Sequence, residues 1–288
     1  MVAMAAGVQP IITGKLIPIG KLMTIDKFTL PKKSLGQHWL HDSGVLEAMC
    51  IAADVNKNDV VLEIGPGTGT LTTVLAKRVK QVIAIELDKR LAQELENSVQ
   101  DNVRIIQQDI LKFDLTSLPK GYKVVANIPY YLTSNLIRVL SESLNPPALV
   151  ALLVQKEVAE RVAAKPGSMS ILSVATQFYY EILLGQVVPA ELFTPPPKVD
   201  SQILVLKWRP EPLFPGIDTK QFFKLVKAGF AQRRKTLTNS ISGGLRISTS
   251  QATELLKNAG ISPSARAQTL ALEQWYELYE KSTPLLRN

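Results

Sequence analysis

The chain has 288 residues, of which 46% are hydrophobic, and 33 Lys and Arg against 25 Asp and Glu give a formal net charge of +8 at pH 7. This length allows one large domain or two smaller ones, each with a real core, and the charge favours a polyanionic partner. One cysteine and two histidines exclude an intramolecular disulfide and leave too few ligands for a metal site, so we expect none. The longest apolar run, residues 148–154, is too short to span a bilayer, and no membrane segment is predicted.

The first 30 residues carry little charge, are interrupted by glycine and proline, and show no hydrophobic period. They predict a loosely ordered extension over 1–30. A secretory signal would require a basic segment before its apolar stretch, and these residues have none there.

Residues 59–157 alternate short apolar runs with stretches of helical spacing. The runs at 60–64, 81–85, 103–106, 123–126 and 149–154 are typical of strands buried on both faces of a parallel sheet. Helices are predicted between them at 71–78, 87–100 and 134–144. This pattern indicates an α/β fold with the carboxyl ends of the strands at one edge.

A proline-rich segment at 194–198 precedes a further strand at 203–208, and three more prolines at 210, 212 and 215 indicate a domain boundary. The remainder predicts helices at 219–240, 250–259 and 272–281. We therefore divide the chain into the extension at 1–30, an α/β domain at 31–211 and a small helical domain at 212–288.

A glycine-rich motif, residues 63–69, follows the first buried strand and precedes a helix. Gly65 and Gly67 would let a ligand approach the backbone closely, although an ordinary glycine-rich turn is the alternative. The motif has no Gly-Lys-Ser/Thr end, and Thr70 stands where a dinucleotide site has its third glycine. A nucleoside triphosphate and a nicotinamide or flavin cofactor are therefore disfavoured.

Acidic residues end the next two strands. Glu86 is placed to accept hydrogen bonds from ribose hydroxyls, and Asp109 from an adenine amine. Taken singly, Glu86 could be a surface acid before a helix and Asp109 a helix N-cap. Because Gly65, Glu86 and Asp109 end successive strands at one edge, together they predict an adenosine pocket.

The sequence Asn127-Ile-Pro129-Tyr130 follows the fourth strand. It resembles the Asn/Asp-Pro-Pro-aromatic signature of methyltransferases that modify planar amino groups. The Asn127 side-chain oxygen and a backbone carbonyl near Pro129 could hold both hydrogens of an exocyclic amine, while Tyr130 stacks on the ring. Such a site would catalyse by positioning and electrostatics.

Six segments together, at 32–40, 63–69, 127–130, 155–157, 193–201 and 230–237, resemble the ribosomal RNA adenine dimethyltransferase family, in particular its small-subunit members. The resemblance implies a Rossmann-like seven-stranded class I methyltransferase sheet and S-adenosyl-methionine as methyl donor. It implies two adjacent adenines in a hairpin near the 3′ end of 16S rRNA as substrate, within the small subunit or its precursor. We also expect a monomer in the cytoplasm.

The same resemblance implies roles for particular residues. Phe193 would form a second aromatic wall against the target base. The donor would be contacted by His38, Leu40, Gly65, Gly67, Glu86, Asp109 and Asn127. Family members commonly carry Asn where His38 stands.

Basic residues cluster with phenylalanines in the helix predicted at 219–240. A solvated helix face is the ordinary interpretation of such a run. We favour contacts to RNA phosphates from Arg233, Arg234 and Lys235.

Two other functions remain open from the residues. One is a non-catalytic assembly or transcription factor on the same fold, which the intact Asn127, Pro129 and Tyr130 disfavour. The other is a large-subunit rRNA methyltransferase that confers antibiotic resistance, which the proline segment and helical tail disfavour.

Overall fold

The structure is a computed structural model, and it describes residues 31–32, 35–211, 213–214, 216–232 and 234–286, with side chains up to residue 283. The extension predicted over 1–30 lies outside the described residues, as does Arg233. The described part packs as one unit. The division at 211/212 stays a prediction.

Within the described residues, one sheet has seven strands in the order β4-β3-β2-β5-β6-β9-β7, and a second, small sheet pairs β1 with β8. The strands are β1 (Trp39–Leu40), β2 (Val60–Ile64), β3 (Gln81–Glu86), β4 (Val103–Gln107), β5 (Lys123–Asn127), β6 (Leu149–Gln155), β7 (Tyr180–Val188), β8 (Phe193–Thr194) and β9 (Ser201–Trp208). Strands β4, β3, β2, β5 and β6 are parallel, whereas β9 runs antiparallel to both β6 and β7.

The helices are α1 (Ser43–Ala52), α2 (Thr70–Ala76), α3 (Lys89–Glu96), α4 (Thr133–Glu142), α5 (Lys156–Val162), α6 (Ile171–Tyr179), α7 (Thr219–Phe230), α8 (Leu237–Leu245), α9 (Thr249–Asn258) and α10 (Leu272–Leu286). The five predicted parallel strands are confirmed to within one residue at either end, and the predicted α/β fold class with C-terminal helices is confirmed.

Alternation along the central strands explains why their sequences read as continuous apolar runs. Leu62 and Val124 belong to one apolar cluster, and their neighbours Val61 and Val125 belong to another. Since successive side chains of a strand point to opposite faces, the two clusters cover the two faces of the sheet. Because both faces of the sheet are covered, a ligand can reach it at the edge formed by the carboxyl ends of its parallel strands.

The prediction of a single helix at 219–240 is wrong. The chain breaks it after Phe230 and starts α8 at Leu237, so Arg234 and Lys235 of the predicted basic run fall in a turn, where Lys235 N–H donates to the Gln232 carbonyl at 2.9 Å. The start of α8 is held by another segment, since Leu237 N–H donates to the Ala265 carbonyl at 2.7 Å. Folding back lets both helices bury apolar residues in one cluster around Trp275.

That third cluster is shared between the helices and the α/β part. Met169, Val174 and Phe178, in and just before α6, are buried together with Phe222 and Trp275 of α7 and α10. The packing therefore crosses the predicted boundary at 211/212.

Candidate active site

A cavity of about 240 Å³ opens at the carboxyl edge of the parallel strands. Its walls come from the ends of β2, β3, β4 and β5 and from residues 35–40, which lie over the edge. The predicted site residues among its lining are His38, Leu40, Gly65, Gly67, Glu86, Asp109, Asn127, Pro129 and Tyr130. The structure thus brings together residues that are up to 92 positions apart in the sequence.

The glycine turn is held open by its backbone. Gly65, Gly67 and Gly69 have φ of 67°, 58° and 80°, the left-handed region that glycine adopts without strain. The turn is tied to the adjacent strand end, because Gly67 N–H donates to Glu86 Oε2 at 3.1 Å. A Cβ at Gly67 would lie 3.3 Å from Trp39 Nε1, so a side chain there would press on residues 39–40.

The second carboxylate oxygen of Glu86 accepts from Asp88 N–H at 2.8 Å, so both oxygens are oriented by backbone donors. Burial raises the pKa of Glu86, while these two backbone hydrogen bonds act in the opposite direction. A carboxylate offers about four lone-pair positions. Glu86 therefore keeps the capacity to accept from a ligand's hydroxyls after holding its own loop in place.

Asp109 has a structural role that the sequence left as an alternative. Its Oδ1 accepts from Leu111 N–H at 3.0 Å and caps the short 3₁₀ helix Ile110–Lys112. The residue is half-buried and also lines the cavity. Asp109 can therefore cap the 3₁₀ helix and face the cavity at once, because the cap fixes its carboxyl group at the end of β4.

Asn127 ends β5 with its side-chain orientation fixed. Its Nδ2 donates to the His38 carbonyl at 3.1 Å. Since the amide nitrogen is engaged as a donor, Oδ1 is the acceptor end of this side chain. His38 is itself held, because its Nδ1 lies 2.7 Å from the Pro195 carbonyl and must donate to it.

Tyr130 stands beside these groups with its ring half-buried. The His38 and Tyr130 rings lie 5.8 Å apart between centroids at 21°. The Tyr130 hydroxyl lies 2.7 Å from Ser201 Oγ. Burial raises the pKa of Tyr130, so its hydroxyl stays protonated at neutral pH.

The sequence reasoning missed Glu63 as a cavity residue. Its side chain is 1% exposed and lines the cavity, and Oε2 has no hydrogen-bond partner among the described residues. Burial, reinforced by the nearby Glu86, raises the pKa of Glu63 from 4.5 to about 8. The signal was present in the sequence, since an acid inside a strand that is buried on both faces needs a reason to be there.

The charge of the cavity has one sign. Two carboxyl groups that can carry negative charge, from Glu86 and Asp109, line it beside Glu63, whose raised pKa favours its neutral form at neutral pH, and none of its lining residues within the described ranges is Lys or Arg. Such a cavity favours a cationic ligand and disfavours phosphate. Among the described residues, no group of three metal-ligating side chains comes together.

Phe193 is placed elsewhere. Its side chain is 2% exposed within the apolar cluster on one face of the sheet, and it is not among the residues that line the cavity. Its backbone pairs with Leu40, so it supports residues 39–40 from behind. An aromatic wall against the target base formed by Phe193 stays a prediction.

The basic residues lie apart from the cavity lining. Lys224 and Lys227 are exposed on α7, whose opposite side buries Phe222, Leu225 and Val226. Arg234 and Lys235 are exposed in the turn before α8. None of these four cations forms an ion pair with a described residue.

Comparison with known proteins identifies the family. The family model described as "Ribosomal RNA adenine dimethylase" matches residues 29–283. The chain belongs to this family. Within the family, the chain is similar to the ribosomal RNA small subunit methyltransferase A of Dehalococcoides mccartyi, with 43% identity over 85% of this chain and 86% of that protein. The protein of the same name from Shouchella clausii is 41% identical over 90% of this chain and 92% of that one.

Solved structures of family-like proteins superimpose over most of the chain. A dimethyladenosine transferase from Plasmodium falciparum matches with a TM-score of 0.75 and 26% identity, over 86% of this chain and 98% of that one. The 23S rRNA methyltransferase ErmE matches with a TM-score of 0.68 and 29% identity, over 84% and 98%. The predicted resemblance and the predicted enzyme class, an rRNA adenine methyltransferase, are thereby confirmed. In the described part of the chain, no helix is long and apolar enough to cross a membrane.

Proposed function

We propose that the chain transfers methyl groups from S-adenosyl-methionine to the exocyclic amines of two adjacent adenines near the 3′ end of 16S rRNA, in the small subunit or its precursor. The observation that carries the proposal is Asn127, whose amide nitrogen is held by the His38 carbonyl so that Oδ1 is the free acceptor at the end of β5. The small-subunit relatives at 41 to 43% identity support the choice of RNA.

The cavity fits this methyl donor in charge and in shape. The left-handed glycines keep the turn free of side chains, and the carboxyl groups of Glu86 and Asp109 suit a ligand that carries a positive sulfonium and an ammonium group. Glu86 would hold the ribose hydroxyls and Asp109 the adenine amine. When bound, the donor supplies a methyl group activated by the positive sulfur. The fit requires no basic side chain, and the described lining has none.

The chain's own groups would act on the target adenine by orienting it. The amine of adenine is a poor nucleophile because its lone pair is delocalised into the ring. Asn127 Oδ1 and a backbone carbonyl at 128–129 would accept its two hydrogens, which draws the nitrogen toward a tetrahedral geometry. The Pro129 carbonyl already accepts from Leu132 N–H at 3.0 Å and keeps one lone pair free. Tyr130 would stack on the base and fix its plane, and positioning of this kind lowers the barrier.

The RNA would be held mainly by its backbone. Arg234 and Lys235, with Arg233 as a third contact outside the described residues, would meet phosphates. That the enzyme acts as a monomer in the cytoplasm stays a prediction.

The test is methyl transfer to purified ribosomal material that lacks adenine methylation. Wild type and Asn127→Ala are incubated with labelled S-adenosyl-methionine and small subunits, large subunits or naked 16S rRNA, and the modified adenines are mapped. We expect two adjacent N6,N6-dimethyladenosines near the 3′ end of 16S rRNA with wild type, and a much lower rate with Asn127→Ala. Label confined to large-subunit RNA would replace the substrate assignment, and no transfer to any adenine would refute the proposal.

A further inference from the structure

The hydroxyl group of Tyr130 is anchored by a residue far away in the sequence. Its oxygen lies 2.7 Å from Ser201 Oγ, 71 positions further along the chain. Ser201 is 0% exposed and is the first residue of β9. This hydrogen bond joins the short turn after β5 to the body of the sheet.

The position of Ser201 is determined by the sheet. Its backbone pairs with Gln155 of β6 on one side and with Val188 of β7 on the other. A residue placed in two ladders has little freedom, because both neighbouring strands fix its backbone. The Ser201 hydroxyl is therefore a more rigid anchor than a loop residue would supply.

Tyr130 needs such an anchor, because it lies in the one-turn 3₁₀ helix Tyr130–Leu132. The Tyr130 ring is half-buried and can swing about its Cα–Cβ bond unless its tip is held. The His38 ring lies beside it, but a ring contact at 5.8 Å between centroids does not fix the direction of the hydroxyl. The hydrogen bond to Ser201 fixes the position of the ring's tip.

We propose that Ser201 is a positioning residue for methyl transfer, which fixes the place of the Tyr130 ring on which the target adenine stacks. The inference rests on the proposed function for the role of Tyr130. Ser201 itself is not among the residues that line the cavity, so it acts through Tyr130. Loss of its hydroxyl should therefore lower kcat and leave donor affinity unchanged.

The experiment is a double-mutant cycle with Ser201→Ala, Tyr130→Phe and the double variant. Each single variant removes one side of the same hydrogen bond and keeps the ring, so each should lower kcat about 3- to 10-fold, as expected for a neutral hydrogen bond. The double variant should be no slower than either single one, because the second change has nothing left to remove. Donor affinity, measured by calorimetry, should match wild type in all three.

Ser282→Ala is the matched control. Ser282 is also 0% exposed, and its Oγ donates to the Tyr279 carbonyl at 2.9 Å within α10. It removes a buried serine hydroxyl without touching Tyr130, so it should leave kcat at the wild-type value. A fall in kcat equal to that of Ser201→Ala would assign the effect to general loss of packing and overturn the proposal.

A readout besides activity uses 3-fluorotyrosine incorporation and ¹⁹F NMR, with the Tyr130 signal assigned from its absence in Tyr130→Phe. The fluorine of 3-fluorotyrosine lies next to the hydroxyl group, so loss of the hydrogen bond in Ser201→Ala should shift or broaden the Tyr130 signal. The role of Ser201 would be overturned by any of three results. These are an unchanged Tyr130 signal in Ser201→Ala, losses of kcat that add in the double variant, and a wild-type kcat in Tyr130→Phe. If Ser201→Ala does not fold, the kcat of Tyr130→Phe alone decides. Wild type that methylates no adenine would instead refute the proposed function, while the NMR comparison would still report on the anchor.

Discussion

Glu63 should make the free energy of unfolding depend on pH, and the substitution Glu63→Gln should remove that dependence. The carboxyl is 1% exposed, and burial raises its pKa from 4.5 to about 8. The folded state therefore binds a proton more tightly than the unfolded state does. Stability from this group is fully present below about pH 4.5, falls as pH rises through the window from 4.5 to 8, and is lost above that window.

The magnitude follows from the width of the window. Each pKa unit corresponds to about 1.4 kcal/mol, so wild type should lose on the order of 3 kcal/mol between about pH 5 and pH 8 relative to Glu63→Gln. Glutamine has nearly the same shape and does not ionise, so the titrating groups other than the coupled Glu86 contribute equally to both proteins and cancel in the difference.

The measurement is urea unfolding of both proteins across this pH range, with stabilities extrapolated to zero urea. Glu96→Gln is the matched control, because Glu96 is exposed at the end of α3 and its loss should leave the curve parallel to wild type. Parallel curves for wild type and Glu63→Gln would refute the reasoning, since they would mean that Glu63 ionises equally easily in the folded and unfolded states.

Four further outcomes are expected. Glu86→Ala should weaken S-adenosyl-methionine binding by about 1 to 3 kcal/mol, and calorimetry that finds unchanged affinity would contradict its role at the ribose. Asn127→Ala should lower turnover by about 100-fold or more at saturating donor and RNA, with donor affinity measured alongside, and full turnover would exclude Oδ1 as an acceptor for the amine. Replacing Arg234 and Lys235 together by Ala should weaken binding to RNA of any sequence and leave donor binding intact. The slope of log affinity against log salt concentration should fall by about 0.7 to 0.9 for each phosphate that is no longer neutralised, and an unchanged slope would place the RNA surface elsewhere. Gly229→Ala should cost about 1 to 3 kcal/mol of stability, since its Cβ would lie 2.3 Å from the buried Trp275 ring, and an unchanged unfolding midpoint would show that the ring can move aside.

The parallel strands and the ends that carry the site could be predicted from the sequence, for one physical reason. Strands buried on both faces read as unbroken apolar runs, and the first polar residue after each run lies at the common edge. Glu86 and Asn127 follow from this rule, whereas Asp109 comes after two glutamines that follow its run. β7 does not, because it lies at the edge of the sheet and leaves Leu183 and Leu184 exposed, so its composition has no regular alternation.

Features that depend on contacts between distant segments were not predictable. The break between α7 and α8 is held by hydrogen bonds from Leu237 and Thr238 to residues 263–265, which no local pattern encodes. The Tyr130–Ser201 hydrogen bond likewise joins segments whose pairing exists only in the folded sheet. Glu63 lies within β2 and not after its end, so a rule based on the ends of strands does not include it.

The shared core of α6 and the C-terminal helices bears on how such a protein could be recombined with its relatives. The Phe178 ring lies 5.1 Å from that of Phe222 between centroids. A graft that joined a helical tail from a relative at residue 211 would therefore pack Phe178 against side chains other than its own. The interchangeable module therefore begins upstream of α6, near Ser170, whose side chain caps that helix. A chimaera cut before Ser170 would carry α6, β7 and β9 along with the tail. With β9 it would import Ser201, so an exchange of the C-terminal helices would also replace the anchor of Tyr130.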